Sequence, residues 1–524
     1  MKKRRKSLTA ACVMAAFVMI GGGAARAQEL YDPPIWGDDL EPGERLWWRR
    51  AKHSAAGHPQ EWGYDLLGVR HLSGRDWRRR LEGKSGNAND AFVIQGKRVH
   101  AMVAGTVIAC WRNAPENAQA GEKHAQIANR RISINGNFLW IEEDDGERVL
   151  YAHAIPGSIP QRLCPHNGTL FAAPYAENDN QMPAESHVAA GSRARVAAGE
   201  FLMLVGNSGN SSQPHLHIHK IDASGAAARL NFRRGLSSPW VNDGADLDTW
   251  QSYAGSPIPQ GSVLVWPPSR LGPEYARHKL DAGSFQRLLL HLSDSGYQPY
   301  FFDTYSVGGK SFINFVWRPS TARWSALCLR PESEYEAAVS AAENGESDPV
   351  LIESSLDGGG RIRYSAIFVK NKPGTWAARH QLTEEQHQNQ LEQARRDKLS
   401  PASISVVSLV GIRFYTVLYN QDDIGGWNIK SKIPEGEFQS VFDEQKRAGR
   451  HPIYVNSYMH NGRPFISAIF AEKGGTASVG FGMSAKDFQD AYNRNVGGGL
   501  LTRSVTSFDG ARREHRWAGV WVSQ

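Results

Sequence analysis

A repeat in the second half of the chain constrains the fold more than any other feature. Apolar triplets ending at Trp317, Phe368, Tyr419, Phe470 and Trp521 read Phe-Val-Trp, Ala-Ile-Phe, Val-Leu-Tyr, Ala-Ile-Phe and Gly-Val-Trp, and each end lies 51 residues from the next. Phe285, Tyr335, His387, Phe438 and Phe488 keep nearly the same step upstream, and Trp324, Trp376, Trp427 and then Ser478 recur downstream. Five copies of such a unit predict an array in which neighbours bury what one unit cannot bury alone. Each copy opens with a helix-prone segment such as EGEFQSVFDEQKRAG and continues in a strand such as HPIYVNSYM. It then turns at Gly or Asn, returns in a second strand such as PFISAIFAE, and closes on a short third strand carrying the Trp. The unit is expected to be a helix on a small antiparallel sheet, with the recurring aromatics in its core.

The rest of the chain differs in texture. A length of 524 residues exceeds one ordinary core. Residues 28–250 are rich in Gly, His and short apolar runs and are expected to form one compact domain. Residues 251–281 read as a Pro-rich linker, and 282–524 as the five repeats. The basic balance of 60 Lys+Arg against 53 Asp+Glu is concentrated at the start. Lys2, Lys3, Arg4, Arg5, Lys6 and Arg26 precede a nearly neutral remainder, which gives no electrostatic reason to expect a nucleic-acid partner. That start, KKRRK followed by an apolar run and Ala25-Arg26-Ala27, reads as a cleaved bacterial signal peptide over residues 1–27, rather than a retained anchor. No later segment reaches the length of a membrane span, so an exported chain is expected, periplasmic or extracellular. Export permits a disulfide, and Cys110 and Cys164 are as readily read as a bridge as two buried thiols, with Cys328 left over.

Chemistry concentrates in GNSGNSSQPHLHIHK, residues 206–220. On a strand, His215 and His217 point to one face while Leu216 and Ile218 pack behind. His219 continues that face and is read as peripheral. Upstream, NFLWIEEDDGERVLYAHA forms two strands joined at Asp145-Gly146 and ends at Tyr151-Ala152-His153. Further upstream lies the run His58-Pro-Gln-Glu-Trp-Gly-Tyr-Asp65, before the strand pair VHAMVAGTVIACW.

This order of His and Asp, strand pair, Tyr-x-His, glycine-rich loop and His-x-His resembles the LytM and lysostaphin-like zinc endopeptidases of bacterial cell walls. The resemblance spans about residues 50–222 and is most specific at VAAGEFLMLVGNSGNSSQPHLHIH. It implies a mainly antiparallel β metallopeptidase domain, here followed by the α+β tandem-repeat domain. It implies Zn²⁺ held by His58, Asp65 and His217, with His153 and His215 as unligated catalytic histidines. Many members place the metal His and Asp four apart, whereas His58 and Asp65 are seven apart. His53 and His71 are the alternatives for the first ligand, and Asp76 for the second. Two imidazoles and a carboxylate leave Zn²⁺ a position for water, as a catalytic site requires. The expected activity is hydrolysis of amide bonds in peptidoglycan peptides. The alternatives are a catalytically inert wall regulator and a secreted peptidase against Gly-rich proteins.

The repeats resemble the bacterial tandem-repeat modules found beside polyglycine hydrolases. No Ser-x-x-Lys in a helical setting accompanies them, so they imply a binding or spacing module for a wall component or protein. Insertions at 112–131 and 157–192 are expected to wall the groove of the peptidase domain.

Overall fold

The computed structural model describes residues 29–49, 55–345, 347–370, 374–509 and 514–523. The expected signal peptide, residues 1–27, and the alternative ligand His53 lie outside them. The described residues divide into two compact units: one up to Arg270 together with Leu289–Ser295, the other Leu271–Leu288 together with Gly296 onward. No helix among the described residues is long and apolar enough to cross a membrane.

The first unit is built on one large antiparallel sheet. Its central strands are β1 (Glu44–Arg49), β2 (Tyr64–Ser73), β3 (Gly105–Trp111), β4 (Phe138–Glu142), β5 (Arg148–Ala152), β6 (Leu216–Ile221) and β7 (Ser262–Trp266), in the order β7-β1-β2-β6-β5-β4-β3. The β4–β5 hairpin turns where Asp145-Gly146 predicts, with Gly146 at φ +88°. Both faces are covered, and the side chains alternate between them. Leu139, Ile141, Val149, Tyr151, Leu216 and Ile218 enter one buried cluster, while Phe138, Trp140, Leu150 and Ala152 enter the other. Leu216 and Ile218 are both 0% exposed, and burial of each contributes about 2 kcal/mol.

The stretch expected to be a linker is not one. Residues 262–266 form β7, which pairs with β1, and Tyr275–Asp281 forms the first strand of the repeat unit. The alternating SVLVW core overrides the flanking prolines, because Val263, Leu264 and Val265 are all buried.

The second unit contains five three-stranded antiparallel sheets. In each, the chain runs outer strand, helix, inner strand, hairpin, middle strand; in the third copy these are Trp376–Leu382, Glu384–Arg396, Ser400–Leu409 and Ile412–Asn420. The Trp-bearing strand therefore opens a unit instead of closing the one before it, since Trp376 pairs with Asn420 of the following middle strand. A period fixes spacing but not phase, so the sequence left this boundary free. The recurring aromatics are core: Trp317, Phe368, Tyr419, Phe470 and Trp521 are at most 2% exposed. The helix aromatics stack onto them or onto their neighbours, as in Tyr335 on Tyr364 at 4.6 Å and His387 on Tyr415 at 4.6 Å.

The five inner strands stand side by side, and the fifth (Leu501–Asp509) lies beside the first (Tyr297–Val307), so the array closes on itself. One register position repeats around this ring as Asp303, Glu353, Ser405, Asn456 and Thr506, opposite Asn314, Ser365, Thr416, Ser467 and Ala518. Side chains there staple neighbouring copies through the backbone. Ser354 N–H donates to Ser405 Oγ (2.7 Å), Val406 N–H to Asn456 Oδ1 (3.2 Å) and Ser457 N–H to Thr506 Oγ1 (3.1 Å). Ser507 N–H donates to Asp303 Oδ2 (3.2 Å), which joins the last copy to the first.

Candidate histidine and metal site

Strand register builds the site. On β2 and β6, Asp65 and His217 are directly opposite, so their side chains leave the same face of the sheet. His217 Nδ1 lies 2.9 Å from Asp65 Oδ1. His215 precedes β6 by one residue and shares that face; its Nε2 is 3.3 Å from the same Asp65 oxygen. On the other side of β6, His217 is opposite Ala152, the last residue of β5, and the next residue is His153. His153 has φ +73°, a conformation that costs a non-glycine residue about 1–2 kcal/mol. Backbone hydrogen bonds hold it there, His153 N–H to Asn135 O (3.0 Å) and Gly206 N–H to His153 O (3.0 Å). The His153 ring centroid lies 4.6 Å from that of His215 and 6.0 Å from that of His217.

The loop from Gly206 to Ser211, which leads into the histidine strand, is fixed from several sides. Ser208 Oγ accepts Asn137 N–H (2.9 Å) and donates to Ala154 O (2.8 Å), and Ser208 O lies 2.8 Å from His153 Nδ1. Asn117 Nδ2 donates to Gly209 O and Ser211 O, both at 3.0 Å, and Glu116 Oε1 accepts Asn207 N–H at 2.6 Å. The 112–131 insertion thus clamps the histidine loop. The 157–192 insertion is tied to β3 by the Cys110–Cys164 disulfide, with Cα atoms 5.7 Å apart. Its Gln181 carbonyl accepts Trp140 Nε1–H and Asn135 Nδ2–H, both at 2.9 Å.

Burial and environment differentiate the two flanking histidines. Burial pushes the His153 pKa well below the usual imidazole value, and the neighbouring His215 and His217 push the same way. Burial also depresses His215, but the Asp65 charge and hydrogen bond, with the Gln213 carbonyl 2.8 Å from Nδ1, outweigh it and raise its pKa.

Of the five residues implied by resemblance, Asp65, His153, His215 and His217 come together. The fifth, His58, is exposed in the turns before β2, with Nδ1 accepting Gln60 N–H at 3.1 Å. Four residues before Asp65 stands Glu61, whose Oε2 accepts Gly57 N–H at 2.8 Å. The alternative His71 lies six residues further along β2, roughly 20 Å away along the strand, against Trp77. His219, read as peripheral, is fully buried, and its Nδ1 is 2.9 Å from His217 Nε2. The period-two pattern already put His219 on the histidine face; the contact follows from that spacing. An imidazole and a carboxylate turned towards each other are a donor set suited to Zn²⁺. Asp65 Oδ1 and His217 Nδ1 face each other at hydrogen-bond distance.

The family described as polyglycine hydrolase-like, structural repeat, matches residues 272–320, 373–422, 425–473 and 475–524. These stretches follow the outer-strand-first frame; the second copy, between them, has the same helix and three strands. No curated protein matches the chain. Among solved structures, a zinc-containing peptidase from Vibrio cholerae is 15% identical over 38% of this chain and 41% of its own, with a TM-score of 0.19. This chain thus aligns with less than half of that peptidase. The SpoIIQ–SpoIIIAH pore-forming complex is 12% identical over 38% of this chain and 87% of its own, with a TM-score of 0.19. The catalytic domain of lysostaphin from Staphylococcus simulans, an antimicrobial peptidase, is 17% identical over 30% and 84%, with a TM-score of 0.12.

Proposed function

We propose that the chain is an exported zinc endopeptidase that hydrolyses amide bonds in peptidoglycan peptides, with the repeats as a module that binds or spaces it on the wall. One observation carries this reading: Asp65 and His217 oppose each other across two paired strands, 2.9 Å apart, with two further imidazoles beside them. Zinc held by Asp65 and His217, with His58 as the remaining ligand implied by resemblance, would supply a Lewis acid for the scissile carbonyl and lower the pKa of a water towards about 7.

The other side chains do the rest. His153 Nδ1 faces the Ser208 carbonyl, which leaves Nε2 to accept a proton from the attacking water. His215 Nδ1 faces the Gln213 carbonyl, and its Nε2, on the Asp65 side, is set to donate to the developing oxyanion or the departing amine. The Cys110–Cys164 bridge supports an oxidising, exported location.

The test is zinc analysis of the purified chain together with mass spectrometry of fragments released from isolated sacculi, with and without a chelator. His217→Ala should lose zinc and activity. His153→Ala should keep zinc and lose about 10²–10⁴-fold in rate. Full zinc retention in His217→Ala would refute the assignment. The exposure of His58 favours one second reading, an inert wall-binding relative; stoichiometric zinc without fragment release would select it.

A further inference from the structure

We infer that His219 is a positioning residue that fixes the tautomer of His217 so that its Nδ1 can bind the metal. The inference rests on the zinc reading above and adds a role that the motif resemblance does not assign.

The two ring nitrogens of His217 face different partners. Nδ1 lies 2.9 Å from Asp65 Oδ1, and Nε2 lies 2.9 Å from His219 Nδ1. A neutral imidazole carries one proton. If Nδ1 gives its lone pair to a cation, the proton must sit on Nε2, where it needs an acceptor. His219 Nδ1 is placed to accept it, and His219 then keeps its own proton on Nε2. Metal loading and the His219 tautomer are therefore coupled through one hydrogen bond.

The partner is rigid enough to hold that state. His219 is 0% exposed, and its ring meets Trp140 edge-on at 5.1 Å and 84°. Trp140 is in turn anchored by Nε1–H to Gln181 O at 2.9 Å. His217 and His219 are neighbours on one strand face, their ring centroids 5.1 Å apart. Gly63 leaves room for this pair: a Cβ there would lie 3.2 Å from His217 Cε1 and 3.4 Å from His219 Cβ.

The experiment measures zinc retention by the full chain against rising chelator, for wild type, His217→Ala, His219→Leu and His219→Asn. Leu keeps bulk without an acceptor, and the Asn carbonyl oxygen sits close to where His Nδ1 does. His219→Leu should weaken zinc binding about 10–100-fold, and His219→Asn should recover most of it. Zinc lost in His217→Ala but held unchanged in His219→Leu overturns the inference alone. Equal weakening in Leu and Asn also overturns it, because packing rather than an acceptor would then be responsible. A wild type that binds no stoichiometric zinc defeats the underlying reading as well. If His219→Leu does not fold, as judged by circular dichroism, ¹⁵N-histidine NMR of zinc-loaded wild type decides: a proton on His217 Nε2 is expected, and one on Nδ1 overturns the inference.

Discussion

Raising the pH from 5 to 8 should loosen the ring of repeats, and Asp303→Asn should remove much of that sensitivity. Asp303 is 1% exposed in the ring, where Asn314, Thr506 and the Ser507 N–H donate to it and the equally buried Glu353 lies close enough to repel it. Burial raises the Asp303 pKa to about 7, and burial with the Asp303 charge raises Glu353 well above the carboxylate range. Tyr454 O–H donates to Glu353 at 2.7 Å. Because the folded pKa of Asp303 is raised above its unfolded value of about 3.9, the folded ring holds a proton that the unfolded chain releases. The Asp303 contribution is therefore fully present below about pH 4 and is lost as pH rises through about 7. Between pH 5 and 8 that loss is about 3 kcal/mol, or roughly 6–12 °C in Tm for a unit of this size. Glu353, whose pKa burial and the Asp303 charge raise in the folded ring, adds a slope of the same sign. Differential scanning calorimetry of the full chain at several pH values, wild type against Asp303→Asn, reads the difference. Identical slopes in the two proteins, or a wild-type transition that rises with pH, would refute the reasoning.

Three further outcomes follow from the packing. Gly209→Ala should destabilise the first unit by roughly 3–5 kcal/mol, because Gly209 has φ +74° and a Cβ there would lie 2.3 Å from Gly136 N; thermal melting checks it. Cys110→Ser with Cys164→Ser should cost about 4 kcal/mol by loop entropy for a bridge spanning 54 residues, lowering the Tm of that unit by roughly 8–16 °C. Val410→Asn should stabilise the repeats by about 1 kcal/mol, since Val410 is 98% exposed at φ +49° and its counterpart one repeat later, Asn461, holds the same angle without a β-branch; urea unfolding reads that gain.

Much of this was legible because it is periodic. The alternation of HLHIH set the histidine face and its apolar backing, and the 51-residue step set the array. What stayed hidden depends on contacts remote in sequence. Nothing local marks Asn117 and Glu116 as clamps on a loop some 90 residues away. Burial of Asp303 and Glu353 depends on ring closure, which the period alone does not require. The prolines at 257–273 masked β7, whose pairing with β1 lies more than 200 residues back in the chain. His58, carried over by its place in the motif order, is exposed, because motif order constrains chain sequence and not the path of the loop between.

Because the first and last inner strands are neighbours, the number five is a geometric quantum rather than a length. An open stack can shed or gain a member at its end and keep its remaining interfaces. A circle cannot: removing any one copy would leave two faces exposed at once, and inserting a sixth would require every wedge angle to change together. Variation in this half of the molecule should therefore arise by substitution within existing copies, above all at hairpin tips, and not by changes in their count.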